Sequence, residues 1–126
     1  MTLDWTHGAL YEGLHLYRSG RFFEAHEAWE SVWITAAQPE KLFLQGLIQV
    51  TVAQHHSTRD NHLGATRLLA AALRKLEPYP IHFAGLDVGV LRDDIRASLA
   101  ILASNSAPAH LTPLSLAPPR IQLHSL

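Results

Sequence analysis

One short run concentrates side chains that hold protons or metals: His26, Glu27 and Glu30 within HEAWE. His26 and Glu30 stand four residues apart, a spacing that brings two donors onto one face of a helix. In the helical zinc-hydrolase motif, two metal ligands take those positions and the glutamate after the first is the general base. By that logic His26 and Glu30 are metal ligands, His56 is a third ligand from a neighbouring helix, and Glu27 is the catalytic base. The cofactor implied is one divalent metal ion, and the reaction is metal-assisted hydrolysis. The pattern departs from the motif in its second ligand, which is Glu rather than His, and in the tryptophan lying inside it.

The same region supports a second reading, a module that binds a small ligand or a protein. Trp29 and Trp33 would wall a pocket, with Glu30, Gln45, Gln49, Arg59 and Asn61 as its orienting polar groups. A third reading is purely structural. Polar groups buried together satisfy one another and fix helix register, with no ligand involved. The binding module ranks first, the metal-dependent hydrolase second.

These residues need helices to position them, and apolar spacing marks five. The first runs from about Asp4 to Ser19 and stops at Gly20. The second runs from Arg21 or Phe22 to Ala37, ended by Gln38-Pro39. The third spans Pro39 to Thr58 and is apolar on nearly all sides, which marks a central helix. Asp60 or Asn61 caps the fourth, with Ala65, Leu68, Leu69, Ala72, Leu73 and Leu76 as its stripe, and Pro78 and Pro80 end it. Asp87 caps the fifth, after a turn at Phe83-Ala84-Gly85.

On a helical wheel of about 100° per residue, His26 falls beside Phe22 and Trp33, with Glu30 next to it. Gln45, Gln49 and His56 form a narrow stripe on the third helix, and His55 projects roughly opposite Gln49. Mutual pairing across the two helices is the cheapest way to bury such groups. His26, Glu30, Gln49 and His56 are therefore expected in a single buried or half-buried cluster.

The expected fold is all-α: a compact antiparallel bundle of about five helices over residues 1–104, with an extended Pro-rich tail over 105–126. The tail holds Pro108, Pro113, Pro118 and Pro119, yet leucine and isoleucine recur along it. Part of it is expected to lie across the helices or across a neighbouring chain, and a homo-oligomer fits the latter.

With 126 residues there is room for one domain. A net charge of −1, with Lys and Arg dispersed, gives no basic face for nucleic acid. Having no cysteine, the chain forms no disulfide and no thiolate metal site. It carries no signal-like start and no apolar run of the roughly 18 residues a membrane span needs, so no membrane partner and a cytoplasmic location are expected. Nine histidines are many for this length, and several sit inside the periodic segments.

GRFFEAHEAWESVW, QGLIQVTVAQHH and NHLGATRLLAAALRKL together resemble the family catalogued as domain of unknown function 309, over about Tyr11 to Leu91. The resemblance implies a compact all-α protein and no assigned activity. The positions that match family motifs are Glu24, His26, Glu27, Trp29, Trp33, Gln45, Gln49, His56, Asn61 and Gly64. The family pattern often places glycine before that asparagine, where this chain has Asp60. The departure concerns the turn and leaves the site residues untouched.

Overall fold

A two-residue stop signal shapes the first hairpin of helices. In the computed structural model, which describes residues 3–104 and 116–124, α1 (Gly8–Arg18) and α2 (Phe22–Trp33) are joined at Gly20. Gly20 is left-handed, with φ +79°. The Arg21 amide reaches back to the Leu16 carbonyl at 2.9 Å, and the Gly20 amide to Tyr17 at 3.1 Å. This is the Schellman arrangement, which satisfies carbonyls that a helix end leaves open.

The first helix is shorter than its spacing suggests. It starts at Gly8 rather than Asp4, because Gly8 has φ +72° and cannot continue a right-handed helix backwards. The residues before it run across the fold instead. Trp5 is buried and its indole N–H donates to the Ala84 carbonyl at 2.8 Å. The second helix ends at Trp33, four residues before the expected Ala37.

The third helix, α3 (Glu40–Thr58), is the central one: Phe43, Leu44, Leu47, Val50 and Ala53 are all fully buried. α4 (His62–Leu76) packs against it where Gly46 lets Leu76 approach; a Cβ at Gly46 would sit 2.9 Å from Leu76 Cδ2. The α3–α4 turn repeats the Schellman pattern. The Asn61 amide bonds His56 O at 2.9 Å, and Asp60 takes the left-handed position with φ 58°. A glycine would take this left-handed position freely, and the aspartate bears the conformational cost.

Two short strands stand where only a turn was expected. β1 (His82–Phe83) and β2 (Leu86–Asp87) form a hairpin whose central residues, Ala84 and Gly85, both have positive φ, as a two-residue I′ turn requires. α5 (Val88–Ser104) follows, and Asp87 Oδ1 accepts from the Val90 amide at 3.2 Å. Arg92 of α5 donates to the Leu76 and Tyr79 carbonyls at 3.1 and 2.6 Å, closing the end of α4. The fold is thus all-α apart from this small hairpin.

The C-terminal segment docks on its own chain. Leu116, Pro119 and Ile121 are buried, and Leu123 bridges Leu86 in antiparallel register. The Tyr17 hydroxyl donates to Pro119 O at 2.6 Å, and Arg18 to Ile121 O at 3.0 Å. Arg120 grips Asp94 of α5 through its guanidinium and its amide, at 2.8–3.1 Å. The remainder of the tail, residues 105–115 and 125–126, lies outside the described residues.

Candidate functional site

Three histidines, His26, His55 and His56, meet where the start of α2 faces the end of α3. His26, on α2, has its Nδ1 2.6 Å from the Phe23 carbonyl and its Nε2 2.9 Å from Glu30 Oε1. Both nitrogens therefore face acceptor oxygens, and a ring with protons on both donates to each. The imidazole is largely covered, at 17% exposed, while Glu30 is half open at 50%. The contact is a hydrogen-bonded pair on the helix surface, and its half-open carboxylate limits what it contributes to stability.

Phe23 links this pair to α3. Its ring lies 4.9 Å from His26 and 5.4 Å from His55, centre to centre, and is itself half exposed. His55 sits 6.2 Å from His56. Burial lowers the His55 pKa below the ordinary imidazole range, and the nearby charges of Arg59, His56 and His26 add to the effect. His56 Nδ1 is 3.3 Å from Asn61 Nδ2, and Asn61 Oδ1 accepts from the Gly64 amide at 3.0 Å. Asn61 is thus the α4 cap and a neighbour of His56 at once.

The expected cross-helix network is replaced by local bonds. His26 pairs with Glu30 inside α2, and His56 with Asn61 across one turn. The reason is reach: i to i+4 neighbours on a helix meet with little entropy cost, whereas partners on two helices must be brought into register. His26, His55 and His56 do share one locality, but Glu30 lies half open rather than interior. Gln45 and Gln49 are half-buried on α3, and the Gln49 side-chain oxygen is buried with no hydrogen-bond partner among the described residues.

Other expected site residues fall elsewhere. Glu27 is one residue, or about 100°, round from His26. It lines an open groove of about 580 Å³ between α1 and α2 with Glu12, Glu24 and Ser31. That groove contains neither His26 nor Glu30, so Glu27 is not beside the pair it was expected to assist. Trp29 walls no pocket. It is fully buried, donates to Leu10 O at 3.2 Å, and stacks on Tyr17 at 6.0 Å. Trp33 is half-buried with Lys41 Nζ 4.5 Å above its ring, and its indole N–H is buried without a partner among the described residues. Arg59 is exposed at the end of α3.

For a metal, His26, Glu30 and His56 would have to converge, and they do not: among the described residues no group of three or more His, Cys, Asp or Glu side chains is placed to hold an ion. Nor is any helix among them long and apolar enough to cross a membrane. Reading the sequence missed Phe23 and His55 as members of the site. Each ring's direction on its own helix was readable, but not the sliding of α2 along α3 that brings Phe23 to His55.

The sequence profile described as Domain of unknown function (DUF309) matches residues 10–68, which hold most of α1, all of α2 and α3 and the opening of α4. The chain is 38% identical over 73 residues to the uncharacterized protein YpuF of Bacillus subtilis (strain 168), covering 56% of this chain and 42% of that one. It is 30% identical over 84 residues to an uncharacterized protein of Aquifex aeolicus (strain VF5), covering 66% of this chain and 25% of that one. The chain therefore spans less than half the length of either relative.

Proposed function

We propose, from the match of residues 10–68 to the domain of unknown function 309 profile, that the chain is a member of that family and a binding module. Its site is the polar and aromatic strip formed by α2, α3 and the cap of α4. Phe23, His26, His55 and His56 make one end of the strip. Glu30, Trp33, Gln45 and Gln49 extend along the two helices, with Arg59 and Asn61 at the rim.

The observation that carries this reading is the Gln49 oxygen, buried and without a partner among the described residues. Leaving such an acceptor unmet costs about 1–3 kcal/mol, and buried polar atoms are normally bonded. A ligand or partner segment that brings an N–H or O–H donor to Gln49 removes that cost. Phe23 offers it an exposed ring, and the Glu30 carboxylate takes a further donor. The occupant is accordingly a donor-rich group, such as a peptide backbone or an amide or amine of a small molecule.

A thermal-shift screen of amides, amines and short peptides tests this. Hits should stabilise the protein, lose their effect in Gln49→Leu, and keep it in Glu27→Gln. If Gln49→Leu were more stable than the parent and bound every hit equally well, the glutamine would be a packing residue and the reading would fail.

A further inference from the structure

We propose that the C-terminal segment is fastened by an acid-sensitive clasp, formed by His82 on the hairpin and His124 on the docked segment. The two rings are stacked, with centres 3.6 Å apart and planes 19° from parallel. One belongs to β1, the other to residues that follow the helical part of the chain, so the stack ties the end of the chain to its body. The inference is independent of the binding strip, which lies on other elements.

Backbone pairing completes the fastening. The His124 amide donates to Gly85 O at 2.8 Å, and the Asp87 amide to Gln122 O at 2.9 Å, on either side of the Leu86–Leu123 bridge. Two neutral imidazoles stack at this distance without penalty. Two imidazoliums face one another with like charges, and the attraction becomes repulsion.

The charged groups around the stack do not cancel that repulsion. On the hairpin, Asp87 is the register partner of His82. On the docked segment, Arg120 interacts with Asp87 and is itself held by Asp94 of α5. On α1, Arg18 donates to Ile121 O. The N-terminal segment, bound at Ala84 through Trp5, carries Asp4 and His7. Among the described residues the carboxylate in register with the stack, Asp87, is shared with an arginine and offsets one added proton and not two.

The second fastening does not open in the same range. Hydrogen bonds from Arg120 hold the Asp94 carboxyl below its usual pKa, so that bridge stays charged while imidazoles titrate. Loosening between neutral and mildly acidic pH is therefore confined to the hairpin end of the segment. It uncovers Leu86, which is otherwise fully buried.

Amide hydrogen exchange on the full chain, corrected for intrinsic rates, tests the clasp. Between about pH 7.5 and pH 5, protection of the His124 and Asp87 amides should fall roughly tenfold, as like charges on the stacked rings loosen the pairing. His82→Phe and His124→Phe keep an aromatic stack but not the charge, and should show no such fall. As a second readout, magnetisation transfer between the two stacked rings, present at neutral pH, should be lost in mild acid. Unchanged protection in the parent, the same fall in both phenylalanine variants, or ring-to-ring transfer retained in mild acid would each overturn the proposal.

Discussion

Gly13 of α1 lies directly against the indole of Trp29 in α2, so close that a Cβ there would overlap the ring, falling 2.8 Å from Cε2. The contact lets α1 and α2 close on an aromatic cluster in which Trp29 stacks on Tyr17 and meets Trp5 edge to face. Gly13→Ala should therefore destabilise the fold by about 1–3 kcal/mol, the usual range for overpacking a core. Denaturant unfolding measures it; an unchanged midpoint would mean the helix pair gives way more easily than its packing suggests.

Asp60 holds a left-handed backbone position between α3 and α4. That conformation costs a side-chain-bearing residue about 1–2 kcal/mol, against glycine's greater freedom when unfolded, worth up to about 1. Asp60→Gly should leave a net gain of roughly 0.5 kcal/mol, seen as a higher unfolding midpoint. A loss would show that Asp60 contributes through His62, 4.0 Å away.

The Asn61 side chain caps α4 through the Gly64 amide. Asn61→Ala should cost about 1 kcal/mol, the usual worth of an N-cap. Asn61→Asp keeps the acceptor and should recover most of that stability. It also removes the amide nitrogen facing His56, so ligand affinity lost in this variant, where the cap is kept, reports on the site and not on the helix.

Tyr17 and Pro119 are joined by a buried hydrogen bond 102 residues apart in sequence. Burial, with the charge of Asp94 nearby, pushes the Tyr17 pKa far up, so the hydroxyl stays a donor at any working pH. Tyr17→Phe should cost about 1–2 kcal/mol by leaving the Pro119 carbonyl unmet. Hydrogen exchange should localise the loss to residues 116–124; a loss spread evenly over the bundle would count against this origin.

His55 binds a proton less readily in the folded chain than in the unfolded one, chiefly through burial. The unfolded state therefore takes up its proton first as pH falls. The stability linked to His55 is present above about pH 6.5 and declines as pH drops through the lowered folded value. Unfolding curves across this range should show His55→Gln losing less stability on acidification than the parent. Parallel losses would place the pH dependence in other histidines.

Helix number, the caps at Asn61 and Asp87, and the stop at Gly20 were all readable, because each depends on residues within one turn of chain. The boundaries at Gly8 and Trp33 were not, since apolar spacing continues past both. At the site, the i, i+4 relation of His26 and Glu30 was legible for the same reason the caps were. The joining of Phe23, His26 and His55 was not, since a wheel gives directions on one helix and says nothing of how far two helices slide past each other.

The sequence by itself determined the elements and their local chemistry: five helices, the buried character of α3, and a His–Glu pair on one face of α2. Only the tertiary structure decided that Trp29 is core, that Glu27 faces α1, and that the segment 116–124 returns to Tyr17, Asp94 and the hairpin. The physical reason is range. Dihedral preference, capping and side-chain period act over three or four residues. The docking of the chain's end is a sum of contacts 26 to 103 residues apart, none strong enough to leave its own mark on the sequence.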